Sequence, residues 1–525
     1  MSKVSKGSIL WVDDEIDLLR PHIILLEQKD YTVTTVSNGY DAVEIVRDRG
    51  FDLVFLDESM IGMSGIETLV QLKEIRPNMP VVMCTKNEAE SLMDEAIGRK
   101  INDYLTKPVN PVQIIAAVKK FLESRDISQQ RITKDYLQEF SRISARLQGY
   151  LAWEDWLEIY VKLVNYSLEM DKYPELGLQD SLQDQWRECN AEFSKFVERN
   201  YQDWIFDRSD DRPLLSPEIT EEYMLPHLTN SKGKVVYIVV DCMRLDQWLL
   251  MEEMLYPYYT MKTNYACSIL PTSTPYARNA IFAGMFPLDI QKHYPQYWKG
   301  ENTEEHSRNT FEKELLTKLI GRKRINLPND ITYLKIIDTD YGKKIEADIA
   351  RHTKNKLTAI VFNAVDMIAH SRSDLPILKE IAPDEPAYRS LTKSWFAHSS
   401  LFGILKAISK MDDVTVVITT DHGSVRCLHG VKALGDADTS TNLRYKFGRN
   451  VKADARHAYY VRNPEEIRLP KGNMIDGSII AKQDYYFVYP TEYNYYVQKY
   501  KDSFQHGGIS LEEMILPVIE LKPKK

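Results

Sequence analysis

The chain has 525 residues, 43% of them hydrophobic and 27% charged, with a net charge of −9. That length is too great for one core and predicts about three domains, built from an ordinary soluble, globular composition. The negative balance excludes a general nucleic-acid coat, which needs clustered Lys and Arg against phosphate, but not a local basic pocket.

Five cysteines, Cys84, Cys189, Cys242, Cys267 and Cys427, form no C-x-x-C pair, which predicts reduced, buried thiols and a cytoplasmic chain. No stretch approaches the eighteen apolar residues of a membrane span, and an acidic strand end follows so early that no room is left for a signal peptide.

Residues 8–124 alternate the apolar runs Ile9–Val12, Phe51–Leu56, Val81–Cys84 and Asp103–Leu105 with amphipathic stretches. This predicts a doubly wound parallel sheet with helices on both faces. In such a sheet, functional groups gather at the carboxyl ends of the strands. Asp13 and Asp14 end the first strand, Asp57 ends the third, Thr85 follows the fourth and Lys107 the fifth. Converging carboxylates repel unless a divalent cation joins them, and an all-oxygen set favours Mg²⁺. Asp57 is then the acceptor of a phosphoryl group, Mg²⁺ and Lys107 neutralise its oxygens, and the Thr85 hydroxyl senses the product. A lone Asp at a strand end is ordinarily a cap; five positions in this order are not.

These positions resemble the receiver domain of two-component response regulators, expected over residues 1–124. The resemblance implies phosphorylation of Asp57 by a sensor histidine kinase and Tyr104 as the switch aromatic. It also implies Ser59 as a carbonyl ligand to Mg²⁺ beside Asp13, Asp14 and Asp57, and a cis bond at Lys107-Pro108. Ile61 departs from the pattern, standing where such domains usually carry proline, which alters a loop and leaves the acidic pocket.

From Ser124 to about Arg212 no strand-like run appears, and large apolar residues recur at helical spacing, as in Trp153, Trp156, Leu157 and Tyr160. A helical-bundle middle domain, residues 125–215, is expected as a spacer or dimer platform. Asp210-Asp211-Arg212-Pro213 marks its end.

Strand–helix alternation then resumes, predicting one large α/β domain over residues 216–525. Asp241 ends the run Val235–Val240, Asp366 and His370 stand four apart, Asp421-His422-Gly423 follows Val416–Ile418, and His506 precedes Gly507-Gly508. Imidazoles with carboxylates suit zinc or manganese better than calcium, and the expected ions are two Zn²⁺. Asp366, His370 and His506 form one set; Asp241, Asp421 and His422 form the other. Two such ions about 3.5–4 Å apart clamp the attacking and leaving oxygens of an in-line phosphoryl displacement. The segment Pro271–Gly284 reads as a turn entering a helix, whose N-terminus favours phosphate. It offers Thr272 and Thr274 as nucleophiles and Arg278, one turn on, as a grip for a phosphate oxygen. Arg444 and Lys446, among the aromatics of Asn442–Arg449, are candidate substrate contacts for a nucleotide or oligonucleotide, though a solvated charged strand reads as well. The Tyr-rich stretch Tyr485–Tyr500 is expected to form strands.

The ordered ligands resemble the alkaline phosphatase superfamily, which includes nucleotide phosphodiesterases, sulfatases and the PglZ proteins. In that family the nucleophile begins an eleven-residue stretch ending in glycine, which favours Thr274, with Thr272 as runner-up. A threonine there implies phosphate chemistry. Phe504–Glu513 followed by Pro517 is similar to the PglZ branch. A receiver, a helical segment and a PglZ domain together resemble the PorX response regulators of the type IX secretion system. That resemblance implies phosphodiesterase activity on oligonucleotides, cyclic ones included, a phosphorylation-dependent homodimer, and contact with secretion machinery or a sigma factor. The alternative is a non-catalytic adaptor in which zinc is structural.

Overall fold

The computed structural model describes residues 5–86, 101–207, 211–230, 233–299, 307–436, 440, 442–471 and 477–524. Of the expected boundary at 210–213, Asp210 lies outside the described residues. The chain divides into two compact units, Met1–Leu137 and Gln138–Lys525.

The first unit is built on five parallel strands, β1 (Ser8–Val12), β2 (Thr32–Val36), β3 (Leu53–Asp57), β4 (Val81–Thr85) and β5 (Asp103–Thr106). Their order is β2-β1-β3-β4-β5. Successive side chains of a strand point to opposite faces, so Leu10, Val12, Val54 and Leu56 fill one core and Ile9, Trp11, Leu53 and Phe55 the other. Burial on both faces explains why these strands read as continuous apolar runs. Helices α1 (Arg20–Glu27), α2 (Gly39–Asp48), α3 (Gly65–Ile75) and α4 (Pro111–Val118) alternate with the strands. A Ser64/Glu67 capping box starts α3, each side chain taking up a free backbone N–H of the other's residue.

Three long helices follow: α5 (Ser124–Leu147), α6 (Trp153–Lys172) and α7 (Gln179–Phe206). Trp156 of α6 packs its ring 5.4 Å from Phe193 and 6.0 Å from Phe196 of α7. Each such buried side chain stabilises by roughly 1.5–3 kcal/mol. From residue 138 onward the helices and the α/β domain are one body. Asn190 donates to Glu512 Oε2 (3.0 Å) and accepts from the Leu511 N–H (2.8 Å). The Leu270 N–H donates to the Tyr201 hydroxyl oxygen at 2.7 Å.

The α/β domain is centred on six strands, β6 (Lys234–Val240), β7 (Tyr259–Cys267), β8 (Thr332–Ile336), β9 (Leu357–Phe362), β10 (Val414–Thr419) and β18 (Ile515–Pro523), in the order β7-β18-β10-β6-β9-β8. β8, β9, β6 and β10 are parallel, and β18 runs antiparallel to β10 and β7. β6 reads as an unbroken apolar run because it is buried on both faces, between Ile281, Phe282 and Leu316 on one side and further helices on the other. Helix α8 (Thr274–Ala283) lies on this core, closed by Gly284 at φ 59°, a left-handed turn that glycine enters freely.

Smaller pairings dress the sheet. β11 (Val425–Cys427) pairs with β17 (Ser503–Gln505), and β12 (His429–Lys432) with β16 (Tyr485–Val488). β13 (Tyr445–Gly448), β14 (Ala458–Val461) and β15 (Gly477–Ala481) form a sheet in the order β13-β15-β14. The expected all-strand Tyr485–Tyr500 stretch is corrected: only β16 is a strand, and Tyr493–Tyr500 is a helix. Its tyrosines recur at i, i+3, i+4, and Tyr496 stacks on Tyr500 with centroids 6.0 Å apart.

Candidate active site

Adjacent parallel strands β1 and β3 deliver Asp13 and Asp57 to one edge of the first sheet, where Asp14 joins them. One carboxylate oxygen of each lies within 4.8 Å of the other two. Asp13 and Asp57 are buried, and Lys107 Nζ stands 2.7 Å from Asp13 Oδ2 and 2.8 Å from Asp57 Oδ1. Burial pushes the Asp57 carboxyl up, Lys107 opposes this, the neighbouring Asp13 adds to it, and the Ser59 backbone N–H lowers it. One lysine among three carboxylates leaves an excess negative charge on oxygen donors, which a small hard cation fits. The Thr85 hydroxyl donates to Glu58 Oε2 (2.7 Å), and Tyr104 is 43% exposed. Lys107-Pro108 is cis, and Ile61 lies exposed on the loop after β3. Asp57→Asn is expected to abolish Mg²⁺-dependent labelling by a small acyl phosphate, read by phosphoprotein mass spectrometry, with the fold retained.

In the second unit the carboxyl ends of the parallel strands again share one edge. Asp241 follows β6, Asn363 follows β9, and Asp421 and His422 follow β10. Asp366 and His370 sit one turn apart on helix α9 (Ala364–Asp374), as an i, i+4 pair requires. His506 follows β17, whose pairing with β11 returns it to this edge.

The six ligand candidates fall into the two expected sets, Asp366/His370/His506 and Asp241/Asp421/His422, each with ligand atoms within 4.8 Å of one another. His370 Nε2 and His506 Nε2 converge on Asp366 Oδ1 at 3.3 and 3.5 Å. The sets adjoin, since the His422 and His506 rings stack with centroids 4.1 Å apart. Asp366 Oδ1 and Asp421 Oδ2 are buried and accept no hydrogen bond among the described residues. Burial pushes the Asp241 carboxyl up to about 7, with Arg278 opposing and Asp421 and Asp366 adding, and pushes Asp421 up to about 6. Asp366 is held below its ordinary value: burial opposes this, but the imidazoles of His370, His506 and His422 outweigh it. Buried carboxylates with unmatched oxygens beside imidazole nitrogens fit two divalent cations of the zinc type.

Thr274 Oγ1 lies 2.9 Å from His422 Nε2 and 3.3 Å from Asp241 Oδ1, at the first residue of α8. Thr272 is elsewhere engaged. Its buried hydroxyl donates to the Gly508 carbonyl (2.8 Å) and accepts from the Gly507 N–H (3.1 Å), fastening the loop that carries His506.

Three expected contacts are placed differently. The Arg278 guanidinium is buried and bound to Asp241 Oδ2 and Glu312 Oε1, both at 2.6 Å, so it braces a ligand carboxylate instead of facing open space. Arg444 is wholly buried. It pairs with Glu513 (2.6 Å) and donates to the carbonyls of Gln483 (2.7 Å) and Tyr485, which leaves no donor for a substrate. Lys446 shares β13 with Tyr445 and Phe447, whose rings face Tyr276 behind Thr274, so by strand alternation its side chain takes the other face. There Lys446 Nζ sits 4.5 Å from the Tyr489 ring, and burial lowers its pKa to about 7.

Several residues enter the site unforeseen. Asn363 donates to Asp241 Oδ2 (2.9 Å), and its place just after a parallel strand was a readable signal. Asn309 donates to the Thr274 carbonyl (3.2 Å) and accepts from Lys335 Nζ (3.2 Å). Glu312 holds Arg278; nothing in Phe311-Glu-Lys-Glu314 distinguishes it from a solvent-facing helix start. Cys242, φ 65°, turns its N–H toward Asp421 Oδ1 at 3.4 Å.

Family models match three successive segments: the response regulator receiver domain at 9–119, the PorX response regulator linker domain at 126–205, and the BREX system PglZ alkaline phosphatase-like domain at 219–521. Among curated proteins, the alginate biosynthesis transcriptional regulatory protein AlgB of Pseudomonas syringae pv. tomato is 36% identical over 124 residues, 24% of this chain and 28% of AlgB. YkoG of Bacillus subtilis, an uncharacterized transcriptional regulatory protein, is 27% identical over 174 residues, 33% of this chain and 75% of its own length. The chain thus spans little more than a quarter of the length of the first of these relatives. Among solved structures, the receiver domain of NtrX from Brucella abortus is 30% identical and covers 22% of this chain and 98% of its own, with a TM-score of 0.21. A CheY-like receiver from Methanospirillum hungatei is 25% identical, covers 23% and 95%, and has a TM-score of 0.22. The chain belongs to the PorX-type response regulators, in which a receiver and a PorX linker domain precede a PglZ alkaline phosphatase-like domain.

Proposed function

We propose that this response regulator is a metal-dependent phosphodiesterase acting on nucleotide or oligonucleotide esters, with Thr274 as nucleophile and Asp57 as the phosphorylated input. The observation that carries it is the Thr274 hydroxyl held between His422 and Asp241, beside both ligand sets, at a helix N-terminus. Asp366, His370 and His506 would hold one Zn²⁺, and Asp241, Asp421 and His422 the other. When bound, such ions supply Lewis acidity to the phosphoryl oxygens. Thr274 Oγ loses its proton and forms its bond to phosphorus as the ester P–O bond breaks, the departing alkoxide oxygen taking up a proton to leave as the alcohol. Water then cleaves the threonine–phosphoryl bond, restoring the hydroxyl and releasing the phosphomonoester. Arg278 and Asn363 fix Asp241. Lys335 Nζ, 3.6 Å from Glu312 Oε2, holds the Asn309 carbonyl and so supports the Asn309 side chain that donates to the Thr274 carbonyl.

The test compares a nitrophenyl monoester, a nitrophenyl thymidine diester and short oligonucleotides, with bound metal assayed in the same sample. Diester cleavage is expected, with about two zinc ions in the second unit by analogy with two-metal sites. Chelation should lower the rate on the order of a thousandfold, and zinc should restore it. Zinc without turnover on any ester, even after Asp57 is phosphorylated, would instead support the adaptor reading.

The receiver implies a phosphodonor such as a histidine kinase. Among the described residues no helix is long and apolar enough to cross a membrane. The PorX linker match supports a place in type IX secretion, with secretion components or a sigma factor as partner and the cytoplasm as location. Phosphorylation would switch the chain to a homodimer through the face carrying Tyr104 and Val112, the latter 74% exposed. Sedimentation with an acyl-phosphate mimic should double the mass; an unchanged mass excludes this switch.

A further inference from the structure

Away from the proposed metal ligands, the second unit has a half-open cavity of about 150 Å³ between helices α6 and α7 and the back of the α/β domain. A cavity of that order holds one six-membered ring. Part of its helical wall is apolar: Tyr160 and Trp186 meet edge to face at 5.9 Å, flanked by Val164, Met170 and Leu182, with polar side chains such as Gln183 and Asn190 around them. The Trp186 N–H already donates to the Ser167 hydroxyl (3.2 Å), so its ring offers contact surface and no unmet donor.

The opposite wall is charged, yet most of its charges are matched. Arg244 binds Asp246 and Glu385, and Arg389 binds Asp171. Asp484 is paired with His429. Glu512 differs. Its Oε2 accepts from Asn190 Nδ2, and among the described residues no arginine or lysine nitrogen comes within ion-pair distance of it. Burial pushes this carboxyl up to about 7, with Asn190 and Arg244 only partly opposing, as expected of an acid lacking a counter-ion. The lining arginines, Arg187 and Arg426 included, are each paired with a carboxylate, so the wall favours no anion; the unmatched carboxyl asks for N–H donors.

We propose that this cavity is a ligand site for a single aromatic or heteroaromatic ring bearing an amidine-like N–H edge, with the edge on Glu512 and the ring against Tyr160 and Trp186. An arylamidine presents two N–H donors to the carboxylate, and an aminopyrimidine base presents one N–H beside a ring nitrogen that accepts the proton of the protonated carboxyl. The site backs directly onto the metal loop. A Cβ on Gly423 would lie 1.9 Å from the Glu512 carbonyl oxygen, and the Gly423 N–H donates to the Glu513 carbonyl (3.1 Å). An occupant gripping Glu512 therefore bears on the residue next to His422.

The test is ligand-observed NMR on the full chain with four probes: benzamidine, cytidine, benzoate and uridine. Benzamidine or cytidine should bind at least about tenfold more tightly than the benzoate or uridine of matching ring size, the yield of a charge-assisted hydrogen bond. Benzamidine alone points to a cationic amidine, and cytidine to a base. Glu512→Gln should erase the preference, and Leu182→Phe, which fills the cavity, should abolish binding of every probe. If Leu182→Phe does not fold, Glu512→Gln decides. Silence from all probes up to about 10 mM, or binding that neither variant weakens, overturns the proposal. Binding is read without turnover, so the result stands apart from the phosphodiesterase reading.

Discussion

Thr274→Ala is expected to lower diester cleavage on the order of a thousandfold or more, with melting temperature and bound metal unchanged. The removed hydroxyl touches His422 Nε2 and Asp241 Oδ1, while the backbone carbonyl that Asn309 holds is kept. Thr272→Ala should fail differently. Its hydroxyl bridges the Gly508 carbonyl and the Gly507 N–H in full burial, so its loss strands two backbone groups and costs about 1–3 kcal/mol of stability. The pair of variants separates nucleophile from fastener. Full turnover by Thr274→Ala would sink the assignment, and a melting drop confined to Thr272→Ala would support it.

Arg444→Met should be the most destabilising change outside the ligand sets, by roughly 3–5 kcal/mol, because it leaves Glu513 buried without its cation. Glu513 Oε1 also accepts from the Gly508 N–H (2.8 Å), and Oε2 from the Ser510 hydroxyl (2.8 Å). The same carboxylate thus shapes the His506 loop, and zinc should be held more weakly at Asp366/His370/His506. Gly508 has no room for a side chain, since a Cβ there would stand 2.2 Å from the Arg444 guanidinium. Chemical denaturation and zinc competition measure both effects. A variant of native stability with a raised KM would restore Arg444 to the substrate.

Much of this site was legible because ligands sit where apolar runs stop. Asp13, Asp57, Asp241 and Asp421 each end or closely follow a buried parallel strand, and the 3.6-residue period joins Asp366 to His370. What escaped was of two kinds. β2 reads Thr-Val-Thr-Thr-Val because it is a partly exposed edge strand, so no apolar run announced it. Arg278, Arg444 and Glu312 escaped because sequence displays a charge without its partner. A cation among aromatics looks the same whether it awaits a phosphate or neutralises a carboxylate 69 residues away, as Arg444 does with Glu513. Lys446 misled for a related reason: alternation sends it to the face opposite its aromatic neighbours.

The place of β18 sets an order on how this domain can be made. It lies between β7 and β10, yet follows every other strand in sequence. During synthesis, β7 and the β10 side of the parallel block must therefore wait with open edges, the kind of surface on which chains pair wrongly. The ligands, spread from Asp241 to His506, cannot meet before the ribosome has released nearly all of this unit. On the proposed function, capture of metal and closure of the sheet would become one late event, and a nascent chain halted before residue 515 should be inactive and prone to aggregate.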